Sequence, residues 1–117
     1  MQKIEVRNVT RGVVLAAETL VARTSAERRT GLLKHQALPQ GQGLWLAPCE
    51  AVHTFWMKFA IDVLFLDKKR KVLKVRHCVV PWRMTACLRA HSVLELPAGT
   101  CRTSGTVPGD QLEFGRS

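Results

Sequence analysis

A histidine and a lone carboxylate lie within an otherwise apolar stretch of the chain, VHTFWMKFAIDVLFLD at residues 52–67. Burying an unpaired carboxylate is strongly unfavourable, so Asp62 must have definite partners in the folded chain. If His53 lies beside it at the mouth of a pocket, the carboxylate can orient the imidazole for proton transfer or for binding a polar ligand group. Trp56 and Met57 are the candidate walls of that pocket. The pattern predicts a ligand site formed by these four side chains.

The same residues also have a purely structural interpretation. Asp62 can accept hydrogen bonds from backbone N–H groups at the turn after Met57, which would fix that loop by charge-assisted bonds. Trp56 in a strand is more often a core residue, and its replacement by alanine would then lower the free energy of unfolding by roughly 3–5 kcal/mol. A near-neutral replacement would instead indicate that the ring faces solvent or a ligand.

Three further polar residues, Arg28, Glu95 and Asp110, are predicted to form a structural polar network. Glu95 lies between two leucines in a strand-like segment, which favours a solvated position on the outside of a strand. The alternative is an ion pair with Arg28 or Arg83, because a guanidinium holds a carboxylate by two hydrogen bonds. Asp110 follows a glycine and is suited to a turn before the last strand.

The length and composition are those of one folded, soluble domain. The chain has 117 residues, 46% hydrophobic and 23% charged, and can bury a sufficient core without disulfides or metals. Its net charge of +9 predicts weak, nonspecific attraction to nucleic acid or anionic membrane surfaces. The basic run from Lys68 to Lys71 is interpreted as a solvated hairpin turn. Because tyrosine is absent and the aromatic residues are scattered along the chain, a stacking platform for single-stranded nucleic acid is disfavoured.

No secretory signal or membrane span is visible in the sequence. The first residues, MQKIEVRNV, alternate apolar and polar side chains where an export signal needs a continuous apolar run. No apolar run approaches the roughly twenty residues of a transmembrane helix. With Met1 as the true start, the sequence predicts a cytoplasmic protein.

The four cysteines are widely spaced and are interpreted as free thiols. Cys49 and His53 are four residues apart and His77 adjoins Cys78, so a mixed cysteine and histidine metal site requires that the fold bring these residues together. Small buried cysteines that act as apolar residues are the commoner case. The sequence therefore indicates neither a resident metal nor a cofactor.

Periodicity and turn residues predict a mainly β chain. Thr24 and Glu27 have the spacing of a capping box, which predicts a helix from Ser25 to about Leu33 that Gly31 weakens or ends. An opening hairpin is expected over residues 4–17 and a connection over 82–90. The remaining strands are expected at 44–46, 54–57, 61–66, 72–80, 92–96 and 111–114.

Several motifs follow one another in a fixed order, which makes them more specific together than any one alone. They are Arg28-x-x-Gly31-Leu32-Leu33, His53-Thr54-Phe55-Trp56-Met57, Ile61-Asp62-Val63-Leu64-Phe65-Leu66-Asp67, Leu94-Glu95-Leu96-Pro97-Ala98-Gly99 and Gly109-Asp110. This set resembles the DUF192 family over nearly the whole chain. The resemblance implies a mainly β (α+β) fold, barrel-like or jelly-roll-like, in one compact domain over residues 1–117 with one or two short helices. It implies no particular activity.

Three classes of function remain open at this point. The first is a binding module for a small polar or carbohydrate-like ligand, held near His53, Trp56 and Asp62. The second is an enzyme in which His53 and Asp62 carry out acid and base chemistry, although no nucleophile motif accompanies them. The third is a basic domain that interacts with nucleic acid or with another protein. The binding module is the preferred hypothesis.

Overall fold

The computed structural model describes residues 1–116, which form nine strands and two short helices. The strands are β1 (Lys3–Asn8), β2 (Val13–Ala22), β3 (Gln42–Leu46), β4 (Ala51–His53), β5 (Ile61–Leu66), β6 (Val72–Val79), β7 (Met84–Ala86), β8 (Ser92–Pro97) and β9 (Leu112–Arg116). The helices are α1 (Ser25–Thr30) and α2 (Thr100–Ser104). The mainly β class predicted from the sequence is confirmed.

Seven strands form one curled sheet in the order β6-β5-β8-β3-β2-β1-β9. Neighbouring strands are antiparallel, except that β2 and β3 run parallel. The curl brings the two edge strands near each other, where a bridge joins Lys71 to Gln111. The result is a compact half-barrel, as the barrel-like prediction requires. Strands β4 and β7 form a separate two-stranded ribbon.

Both faces of the central strands are buried, which explains why β5 is apolar without alternation. On the inner, concave face, Leu64 and Leu66 pack with side chains from β1, β2, β6 and β9. On the outer face, Val63 and Phe65 pack against Leu32, Leu38 and Met57, which come from the segments that cover the sheet. Side chains that alternate along a strand therefore enter two different cores.

Helix α1 begins where the capping box predicts. The Thr24 side chain accepts a hydrogen bond from the Glu27 N–H at 3.1 Å, and the Glu27 carboxylate accepts one from the Thr24 N–H at 3.1 Å. The helix ends at Thr30, three residues earlier than expected, because Gly31 adopts a positive φ of 47°. None of the helical residues is buried; the chain is anchored just beyond the helix by Leu32.

The segment around Trp56 differs from the sequence prediction. Residues 54–57 were expected to form a buried strand, but the strand here is Ala51–His53 and residues 55 and 56 form a turn. The chain after Trp82 is not a plain connection either, since Met84–Ala86 pairs with β4. Apolar composition alone does not separate a strand from a turn that carries aromatic side chains.

The basic run forms the predicted turn between β5 and β6. The Asp67 carboxylate accepts hydrogen bonds from the N–H groups of Lys69 at 2.8 Å and Lys71 at 2.9 Å. Within residues 1–116, no helix is long and apolar enough to cross a membrane.

Candidate functional site

A buried carboxyl group without a partner is the most unusual feature of the outer face. Glu95 shares this face with Val93 on β8, and only 4% of its surface is exposed. Its side chain forms no ion pair or hydrogen bond within residues 1–116. Burial raises the pKa of Glu95 to about 8. At neutral pH the group is therefore mainly a protonated carboxylic acid.

Glu95 lines a cavity of about 470 Å³ between the sheet and the segment that contains α1. Leu32, Leu46 and Met57 form its buried apolar walls, and exposed residues of α1 and β4 lie at its open side. The remaining lining residues include Ser25, Arg28, Arg29, Thr30, Gly31, Leu33, Cys49, Ala51, Val52 and His53. The volume is in the range of pockets that hold small organic molecules.

The cavity contains a thiol that is poorly suited to act as a nucleophile. Burial is the main cause that raises the pKa of Cys49, and the Glu95 carboxyl adds to it. The thiol donates to the Ala51 carbonyl at 3.2 Å. Because the thiolate is the reactive form, a neutral Cys49 contributes to the shape of the cavity rather than to covalent chemistry.

His53 and Asp62 do not meet, in contrast to the sequence hypothesis. His53 lines the cavity, and its Nδ1 accepts a hydrogen bond from the Phe55 N–H at 3.2 Å. Asp62 pairs with Leu96 across the sheet and therefore lies on the inner face, opposite to Glu95. The spacing of His53 and Asp62 along the chain does not show that they are separated. Their separation depends on which face of β5 carries Asp62, and the sequence does not show this.

Asp62 accepts hydrogen bonds from backbone N–H groups, as the structural interpretation predicts, but the donors do not belong to the turn after Met57. One carboxylate oxygen accepts from the Cys78 N–H at 2.8 Å and the other from the Cys101 N–H at 2.9 Å. Cys78 has a positive φ of 48° at the bulge of β6, and Cys101 lies in the first turn of α2. Asp62 thus ties the bulge to α2, while no bond to the turn after Met57 is formed.

Burial, reinforced by the nearby Asp62 carboxylate, raises the pKa of the Cys101 thiol far above its ordinary value. The exposed residues His77 and Cys78 lie at the β6 bulge, apart from Cys49 and His53 in the cavity lining. Within the described chain, residues 1–116, no group of three or more histidine, cysteine, aspartate and glutamate side chains is placed to hold a metal ion.

Of the predicted pocket walls, Met57 is 7% exposed and lines the cavity, whereas Trp56 is 70% exposed and lies outside its lining. The rings of Trp56 and Trp82 pack against each other in a T-shaped arrangement, and Phe55 stacks between Trp82 and His53. Trp82 thus lies beside Phe55 and Trp56 on the surface, although it is distant from them in the sequence.

Replacement of Trp56 by alanine is expected to change the free energy of unfolding by only about 1 kcal/mol, because the exposed ring contributes little beyond its contact with Trp82. The adjacent Met57→Ala is expected to lower it by about 2 kcal/mol or more, because that side chain is buried. Urea denaturation followed by far-ultraviolet circular dichroism compares the two variants. Equal losses would contradict the exposed position of Trp56.

The predicted polar network of Arg28, Glu95 and Asp110 does not form as one unit. Glu95 is neither solvated nor ion-paired. Arg28 instead donates to the Arg23 carbonyl, and Arg83 donates to the Trp82 carbonyl at 3.2 Å. Arg28 nevertheless lines the same cavity as Glu95.

Asp110 belongs to a separate network at the turn before β9. Its carboxylate accepts from Arg11 at 2.9 and 3.2 Å, from the Asn8 side chain at 3.0 Å and from the Val107 N–H at 3.1 Å. The hydrogen bond from Arg11 is the main cause that lowers the pKa of Asp110. Asn8 and Arg11 were not singled out from the sequence, because their separation from Asp110 along the chain gives no indication of contact.

Comparison with known proteins identifies the group to which the chain is related. The model of the DUF192 family, described as "Uncharacterized ACR, COG1430", matches residues 6–114. The chain belongs to the DUF192 family. This DUF192 chain is 30% identical over 115 residues to a UPF0127 protein of Pyrococcus furiosus, a match that covers 93% of the chain and 97% of the relative.

Two further matches agree with this assignment. A UPF0127 protein of Thermococcus sibiricus is 27% identical over 113 residues, with 92% of this DUF192 chain and 72% of the relative covered. A crystal structure of a protein of unknown function from Novosphingobium aromaticivorans superposes with a TM-score of 0.82 at 25% identity, covering 95% of this chain and 83% of that one. The family resemblance inferred from the ordered motifs is confirmed, and none of these names describes an activity.

Proposed function

We propose that this protein binds a small polar molecule in the cavity between α1 and the outer face of the sheet, with Glu95 as the group that recognises it. The observation that carries the proposal is the unpartnered Glu95 carboxyl, which faces a cavity of about 470 Å³. Buried polar groups are ordinarily hydrogen-bonded, and those that are not require an explanation. A ligand that bonds to Glu95 would supply the missing partner.

The lining indicates the chemistry of the ligand. Glu95 at the buried end suits a hydroxyl or amine, since a carboxyl group can both accept and donate there. Leu32, Leu46 and Met57 suit an apolar portion of the molecule. Arg28 and Arg29 line the cavity on its α1 side, and they favour a negatively charged group at the end of the ligand that faces solvent. Aliphatic hydroxy acids and amino acids meet all three requirements. Small sugars meet only the first, because they offer hydroxyl groups to Glu95.

His53 and Met57 remain part of the proposed binding site, whereas Trp56 and Asp62 do not. His53 lies at the exposed side of the cavity with its Nδ1 already occupied by the Phe55 N–H, so its Nε2 is the atom free for a ligand. Asp62 lies on the other face of the sheet. Acid and base chemistry by a pair of His53 and Asp62 is therefore not part of the proposal.

The proposal is tested with a panel of aliphatic hydroxy acids, amino acids and monosaccharides, together with unsubstituted carboxylic acids of equal length. Binding is measured by titration calorimetry. We expect at least one hydroxylated or aminated member to bind, and Glu95→Leu to weaken it about tenfold or more through the lost hydrogen bond. The matched control is Glu113→Gln, an exposed carboxylate on β9. An affinity that Glu95→Leu leaves unchanged would refute the assignment of the site.

A further inference from the structure

Of the nine large apolar side chains that are exposed within residues 1–116, five lie on the ribbon of β4 and β7 or on its flanking segments. Trp56, Trp82 and Met84 are 70%, 52% and 69% exposed. Phe55 connects them, because its ring lies 5.7 Å from that of Trp82 and stacks on His53, the residue opposite Met84 in the ribbon. We call the set Phe55, Trp56, Trp82 and Met84 the aromatic patch. Apolar surface of this kind, when rimmed by polar residues, marks an interaction site.

The backbone at the aromatic patch is held in an unfavourable conformation. Trp56 and Trp82 both have a φ of 69°, in the left-handed region that bulky residues rarely adopt. Neither indole ring is buried, so core packing does not account for tryptophan at these positions. Strained residues of this type cluster at ligand and switch sites, although Arg70 and Cys78 of this chain also have a positive φ.

The charges around the aromatic patch specify an anionic partner. Near the aromatic patch, residues 51–60 and 80–86 contain Lys58 and Arg83 but no aspartate or glutamate, whereas Glu50 and Arg89 lie together at the other end of the ribbon. Lys74 extends from β6 and donates to the Ala86 carbonyl of the ribbon at 2.8 Å. A second copy of the chain is disfavoured as the occupant, since a two-fold contact between identical patches would place basic residues against basic residues.

We propose that the aromatic patch attaches the protein to the surface of an anionic phospholipid membrane. The patch combines what interfacial binding needs: indole rings, which favour the headgroup region, an aliphatic thioether that can enter the acyl boundary, and basic side chains for the lipid phosphates. Single-stranded nucleic acid fits less well. The faces of Phe55 and Trp82 are directed at each other at 27°, and Met84, which is 69% exposed, is not a side chain on which bases stack.

Phospholipid vesicles test this attachment. Sedimentation with vesicles of phosphatidylcholine and phosphatidylglycerol, and with vesicles of phosphatidylcholine alone, gives the partition coefficients. The intrinsic fluorescence reports insertion, because Trp56 and Trp82 are exposed while the third tryptophan, Trp45, is 5% exposed. We expect binding to the anionic vesicles with a blue shift of the emission, and quenching by brominated acyl chains.

Matched variants separate insertion from nonspecific charge attraction. The double variant Trp56→Ser with Met84→Ser is expected to lower the partition coefficient about tenfold or more, and Arg83→Gln about fivefold on anionic vesicles. Val14→Ser, at a residue 44% exposed on β2, is the control and should not change it. Circular dichroism establishes that each variant is folded.

Several results would overturn the proposal. The first is a double variant that partitions like the unmodified protein. The second is vesicle binding without a shift of the tryptophan emission, which would show that the net charge alone is responsible. Two further results would assign the patch to another partner: patch-dependent binding of a single-stranded DNA oligonucleotide without vesicle binding, and patch-dependent dimerisation in sedimentation equilibrium without lipid.

Discussion

Replacement of Asp62 by alanine is expected to lower the free energy of unfolding by roughly 3–5 kcal/mol, one of the two largest effects on stability that we predict. Asp62 is completely buried and is the acceptor for the N–H groups of Cys78 and Cys101. A hydrogen bond to a charged group contributes about 1.5–3 kcal/mol, and both donors would be left without this acceptor. The loss is measured by urea denaturation at neutral pH.

Asp67→Ala is the matched control for this prediction. Asp67 also accepts two backbone N–H bonds through its carboxylate, but it does so at a partly exposed turn where water can replace it. We expect a loss of about 1 kcal/mol there. If Asp62→Ala were no more destabilising than Asp67→Ala, Asp62 would not be the connection between the β6 bulge and α2 that the structure describes.

Replacement of Glu95 by glutamine is expected to stabilise the protein increasingly as the pH rises. The pKa of Glu95 is raised by burial to about 8 in the folded state, from an ordinary value of 4.5. The folded chain therefore retains a proton that the unfolded chain releases. The stability associated with this group is complete below about pH 4.5 and is lost progressively as the pH approaches 8.

The size of this effect follows from the size of the shift. Because each pKa unit corresponds to about 1.4 kcal/mol, the stability of Glu95→Gln relative to the unmodified protein should rise by roughly 3–5 kcal/mol between acidic and alkaline pH. Urea denaturation of both proteins across this range gives the difference directly. The exposed Glu113→Gln is the control and should show no comparable trend. Parallel pH profiles for Glu95→Gln and the unmodified protein would mean that water hydrates the Glu95 carboxylate.

The elements that depend on local sequence could be predicted, as α1 and the basic turn illustrate. The capping box at Thr24 and Glu27 uses atoms three residues apart, and Asp67 bonds to residues two and four positions ahead. The order of the sequence motifs was sufficient to identify the DUF192 family. The uniformly apolar run of β5 likewise agrees with the burial of both faces of that strand.

The candidate site depends on contacts that no local pattern contains. Whether Asp62 or Val63 enters the inner core is decided by the register with β8, so the sequence could not separate Asp62 from His53. Glu95 was assigned to a solvated face because its neighbours are leucines. The informative residue was Val93, two positions earlier, since an apolar residue on the same face of the strand indicates that this face is covered.

The parallel pairing of β2 with β3 has a consequence for access to the interior. Two neighbouring parallel strands need a crossover connection that returns the chain to the starting edge of the first strand, and residues 23–41 form this connection. Part of that connection forms the wall of the cavity opposite Glu95. Because α1 pairs with no strand and contributes no buried side chain, a displacement of α1 would break no hydrogen bond between strands. If the cavity binds a ligand as proposed, we expect that ligand to enter and leave by a local opening at α1 that costs far less free energy than global unfolding.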